Sequence, residues 1–200
     1  VDAPIDNSSN GSSAIFWEPP RTLRFGEPLS ADYFSARTRP FGTATYTLSD
    51  SVNPTQTLTP GSQTLPFFKP GNLMFTASSS NTVSMNKNIE GLRGRPFMEI
   101  QWQEVRRDPQ TGLPIVELQT AFAGTHPQKP ISANEIRFET VRGNAPSLIP
   151  NPSSFIPQNS GRLEIRAVFD GNEFYEPASR TILLEISPSR SVEQGSSGTS

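Results

Sequence analysis

Apolar and polar residues alternate with a period of two along much of this chain. In TATYTLS, residues 43–49, Ala44, Tyr46 and Leu48 fall on one side with threonines between them. In RLEIRAVF, residues 162–169, Leu163, Ile165, Ala167 and Phe169 oppose Arg162, Glu164, Arg166 and Val168. A two-residue period places one set of side chains on each face of an extended strand, so both runs predict half-buried β-strands. FMEIQWQEV, residues 97–105, reads the same way, with Met98, Ile100 and Trp102 aligned when extended and Phe97 and Val105 off that row. Further strands are predicted at 14–17, 55–58, 63–68, 81–85, 115–121, 134–141 and 181–187. No window sustains a helical period over three turns.

Clusters of Gly, Pro, Asn and Asp separate these runs at the spacing of about 8–12 residues expected of sandwiches. The pattern predicts an all-β protein of two antiparallel β-sandwich domains in tandem, covering residues 14–91 and 92–188. The boundary falls in EGLRGR, residues 90–95, which is polar apart from Leu92. A leader, residues 1–13, and a Ser/Gly-rich tail, residues 189–200, flank them. The halves also echo one another. Ile15-Phe16-Trp17 recurs as Ile100-Gln101-Trp102, and Gly26-Glu27-Pro28-Leu29 as Gly112-Leu113-Pro114-Ile115. Gly61, Leu65, Gly71-Asn72 and Phe75 align with Gly161, Ile165, Gly171-Asn172 and Tyr175. A loop insertion at residues 143–160, GNAPSLIPNPSSFIPQNS, accounts for the greater offset of the later matches.

Composition narrows the possibilities. Twenty prolines and 14 glycines in 200 residues leave little room for long helices. A net charge of −2, with Lys and Arg dispersed, gives no basic footprint for nucleic acid. Cysteine is absent, which excludes disulfides, thiolate catalysis and Cys-type zinc sites. No apolar run approaches the about 20 residues of a membrane-spanning helix. Opening on Val1, the chain reads as a processed protein or as part of a longer one.

Candidate chemistry is sparse. His126, the one histidine, lies in AGTHPQKP among turn formers, with no sequence signature for a nucleophile and an orienting acid. Asp170-Gly171-Asn172-Glu173 offers oxygen ligands but lacks EF-hand spacing, so it reads as a turn. Trp17 and Trp102 suit core packing better than a sugar platform. The expectation is a non-enzymatic protein without cofactor, whose partners are proteins or surface glycans. Val1, Ala3 and Ile5 alternate with Asp2, Pro4 and Asp6, so the leader could add a strand to an identical subunit and build a fibre, although Pro4 removes one donor. Asn7 and Asn10 open sequons in form only.

Two stretches carry a family resemblance. IFWEPPRTLRFGEPLSADYFSA, near the start, resembles the opening of the bacterial Ig-like repeat family, with its I-x-W-x-x-P and aromatic-Gly-x-Pro-Leu-Ser segments. AVFDGNEFYEPASRTILLEI, near the end, is similar to that family's close, where Ala-x-Phe-x-Gly precedes a Tyr-x-Pro-Ala turn. Residues 122–160 depart from the pattern. The resemblance implies tandem Ig-like sandwiches in a bacterial surface or secreted protein, acting as spacer, display or adhesive modules. It further implies that Phe169 ends an inward-facing strand, Gly171 turns the chain, Tyr175 bonds backbone through its hydroxyl, and Pro177 leads into the last strand. Gly26 and Phe75 become turn and core positions on the same basis.

Overall fold

The computed structural model describes residues 13–61, 65–80, 83–142, 147–149, 153–156, 160–187 and 193–194. The protein is all-β, and no helix among these residues is long and apolar enough to cross a membrane. Two compact units interleave along the chain. Unit 1 comprises Val1–Arg95, Gly124–Pro130 and Glu173–Tyr175, whereas unit 2 comprises Pro96–Ala123, Ile131–Asn172 and Glu176–Ser200. A single cut near residue 91, as the sequence pattern suggests, therefore leaves two short later segments of unit 1 on the wrong side.

In unit 1, β1 (Ala14–Phe16) pairs with β3 (Arg37–Arg39). A five-stranded sheet runs in the order β2 (Thr22–Arg24), β7 (Ser84–Leu92), β6 (Gly71–Ser79), β4 (Ala44–Ser49) and β5 (Gln56–Leu58). All its pairs are antiparallel except β2–β7, which is parallel. Alternation explains β6, which the sequence reading leaves unassigned: Leu73, Phe75 and Ala77 face inward and are fully buried.

Several expectations are corrected. Residues 90–92 are not a linker but the end of β7, where Gly91 sits so close to Phe68 and Leu73 that a Cβ would meet them at 2.9 and 3.0 Å. Residues 65–68 are not a strand, because side chains replace the ladder there. The Gln56 amide both accepts from Phe67 N–H and donates to Phe67 C=O, and Asp50 accepts Lys69 N–H at 2.6 Å.

In unit 2, β8 (Phe97–Arg107) pairs with β9 (Pro114–Ala123), followed by β12 (Ser153–Ile156) and β11 (Ser147–Ile149). The region expected to be a loop, residues 143–160, thus contributes two strands. Its apolar pairs Leu148-Ile149 and Phe155-Ile156 supply strand formers that the surrounding prolines obscure. The second sheet runs β10 (Ile136–Arg142), β13 (Gly161–Phe169), β14 (Ala178–Ile186) and β15 (Glu193–Gln194). Val116 and Leu118 from the first sheet share a core with Leu163, Ile165, Ile182, Leu184 and Ile186 from the second, an arrangement consistent with a β-sandwich.

Candidate functional site

The most elaborate side-chain constellation lies in unit 1, where residues far apart in sequence enclose the Phe25 ring. Phe25 is fully buried because β2 ends against β7, with Phe25 N–H donating to Leu92 C=O at 3.0 Å. Its neighbours are Phe67, Phe68, Phe174, Tyr175 and His126. The imidazole stacks on Phe25 with centroids 5.2 Å apart and planes inclined by 16°. Only backbone could approach this cluster closely enough at two points. A Cβ on Gly94 would lie 2.6 Å from Phe25 C=O, and one on Gly26 would lie 2.7 Å from Gly124 C=O. Gly26 also has φ +89°, which side-chain-bearing residues rarely adopt.

Polar groups inside the cluster are matched. His126 N–H donates to the Tyr175 hydroxyl at 2.8 Å, and that hydroxyl donates to Lys129 C=O at 2.6 Å. Burial raises the Tyr175 hydroxyl above the ordinary tyrosine range, partly offset by the bond from His126, so the proton needed for Lys129 is retained. Nδ1 of His126 accepts Gln128 N–H at 3.1 Å, and Nε2 lies 3.0 Å from Leu65 C=O. Both ring nitrogens are therefore engaged by backbone. The imidazole works as a strut between segments 65–68 and 124–130, with neither nitrogen turned toward an incoming reactant.

The sequence candidates distribute as follows. Tyr175 and Gly26 meet at this cluster together with His126, which the sequence shows only as a lone histidine among turn formers, and Phe25 is the member that sequence reasoning passed over. The available signal was Phe25 beside a turn glycine and the Phe67-Phe68 pair. Trp17 and Phe75 lie elsewhere in unit 1, edge to face at 4.9 Å, with the indole N–H donating to Tyr33 C=O at 3.1 Å. At 4 % exposure Trp17 offers no open platform. Trp102 is half-buried and packs on the unit 2 core. Phe169 is the buried last residue of β13, Gly171 has φ +90°, and Pro177 lies against Gly171, where an added Cβ would meet its ring at 3.1 Å. Val1, Ala3 and Ile5 lie outside the described residues.

The Asp170 carboxylate is held by Arg137, from Nε to Oδ2 and from Nη2 to Oδ1, each at 3.1 Å. Those bonds keep it below the usual carboxylate range despite the opposing effect of desolvation. Asn172 donates to Glu135 at 3.2 Å. The turn thus spends these polar groups on its own closure. Among the described residues, no group of three or more His, Asp or Glu is arranged to hold a metal ion. Comparison with protein-family models, curated protein sequences and solved structures finds no match to the chain.

Proposed function

We propose that this is a non-catalytic, load-bearing module of the Ig-like class, two in tandem, serving as spacer or adhesive display unit outside the cell. The observation that carries the reading is the parallel pairing of β2 with β7. Thr22, Leu23 and Arg24 lie beside Glu90, Gly91 and Leu92. Tension that enters ahead of β2 and leaves after β7 pulls the strands along their length in opposite senses. Their bonds then share the load instead of breaking one by one. Flanking bonds extend this patch: Glu90 N–H to Arg21 C=O at 2.9 Å, and Arg24 Nη1 to Arg93 C=O at 2.6 Å. The tandem reading draws support from the Ile-x-Trp echoes, since Trp17 and Trp102 each pack on an apolar core.

Single-molecule stretching of the full chain by its two ends tests this. The expected trace contains a force peak for unit 1 that falls when Glu90→Pro deletes the donor to Arg21. Extension with no peak above that of an unstructured chain would overturn the load-bearing reading.

A further inference from the structure

The β8 edge of the unit 2 sheet formed by β8, β9, β12 and β11, unpaired among the described residues, is where a second copy of this protein fits, and we propose that two copies pair there strand to strand. This goes beyond the spacer reading and does not depend on it. β8 spans Phe97–Arg107 and is the terminal strand of its sheet, with a partner on only one side among the described residues. From Phe97 to Glu104 it carries no proline, lysine or bulge, and its charges there are Glu99 and Glu104 alone.

The inner face of β8 is unevenly covered, with Met98 only 2 % exposed. Val116 and Leu118 on the neighbouring strand are 0 % and 2 % exposed, whereas the inward-facing Ile100 and Trp102 of β8 are only half-buried. On the outer face Phe97 and Val105 are 52 % and 47 % exposed. A strand laid along β8 would cover all four.

Charge identifies the occupant. Glu99 and Arg106 are exposed and, among the described residues, neither has an ion-pair partner. They stand toward opposite ends of β8, so an antiparallel copy of the same strand presents Arg106 to Glu99 twice, related by a two-fold axis. The register agrees. With the axis through Trp102, Gln101 faces Gln103 of the second copy, and residues on like faces stay together. Glu104 pairs with Val116 and Arg106 with Ile115, which leaves Val105 as an extra residue. That bulge advances the ladder by one position and sets Arg106 directly across from Glu99. Glu104, at the inner face, is already answered by Arg107 at 3.3 Å.

Sedimentation equilibrium of the full chain tests the pairing, with circular dichroism confirming that each variant is folded. The expected result is a reversible dimer that salt weakens. Glu99→Arg and Arg106→Glu should each raise the dissociation constant about tenfold, because each reverses two symmetry-related cross-strand pairs. The double variant Glu99→Arg/Arg106→Glu should return it to the wild-type value. A strictly monomeric protein at all concentrations overturns the proposal. So does a dimer indifferent to the single reversals, or a double variant as weak as the worse single one.

Discussion

The Tyr175 hydroxyl stands 2.8 Å from the backbone nitrogen of His126, 49 residues earlier in the chain, and bonds onward to Lys129 C=O at 2.6 Å. One phenolic oxygen thereby satisfies a buried donor and a nearby acceptor from the same short segment of unit 1.

Removing that oxygen tests its worth. Tyr175→Phe keeps the ring against Phe25 but strands His126 N–H and Lys129 C=O. The expected loss is about 1–3 kcal/mol of unfolding free energy, the cost of leaving such groups without partners. Urea titration followed by tryptophan fluorescence measures it, and an unchanged midpoint would show that solvent replaces the hydroxyl freely.

Gly94→Ala tests the closeness of approach. The added Cβ meets Phe25 C=O at 2.6 Å and the Tyr175 ring at 2.8 Å. Backbone cannot swing aside as a flexible side chain would, so a loss of about 1–3 kcal/mol is expected, as for other overpacked sites. Its control is Gly42→Ala, where the nearest atom would be 3.8 Å away. Thermal melts of the two variants should differ clearly.

Asp50 gives unit 1 a dependence on pH. Burial opposes its ionisation, but bonds from the N–H groups of Asn53 and Lys69, with others from the Asn53 amide and Val52, outweigh that and hold the carboxyl below its ordinary value. A folded-state value below the unfolded one, about 3.9, adds stability that is fully present above it and disappears as pH falls through the lower value. The stability gap between wild type and Asp50→Asn should be widest near neutral pH and should narrow progressively below about pH 4. Denaturant titrations across that range check it, and a gap independent of pH would contradict the assignment.

The histidine tautomer is fixed by its surroundings. Gln128 N–H can only donate, so Nδ1 of His126 must accept, and the proton of the neutral ring resides on Nε2, where it donates to Leu65 C=O. Nitrogen-15 spectra of the ring should show the Nε2–H form. Finding the Nδ1–H form would mean that the 126–128 turn is built differently.

Strands with one apolar face were legible in the sequence, because burial enforces the alternation that marks them. The runs at 43–49, 97–105 and 162–169 belong to β4, β8 and β13. Elements stabilised otherwise were not. Thr22–Arg24 is too short to display a period and exists because β7 lies beside it. Residues 65–68 look like a strand, yet Gln56 and Asp50 take the place of neighbouring backbone. His126 was unreadable for a related reason. Its neighbours in sequence are turn formers, while the groups that bury it, Phe25, Phe67 and Tyr175, come from distant segments.

Unit 1 draws its last contributions from Gly124–Pro130 and Glu173–Tyr175. During synthesis, therefore, the first 95 residues emerge from the ribosome well before the pieces that finish them. Phe25 has to wait with part of its surface wet until residue 175 clears the exit tunnel. For this chain unit 1 cannot be completed until most of unit 2 has also been made, and a nascent chain halted midway would expose the aromatic surface that chaperones recognise.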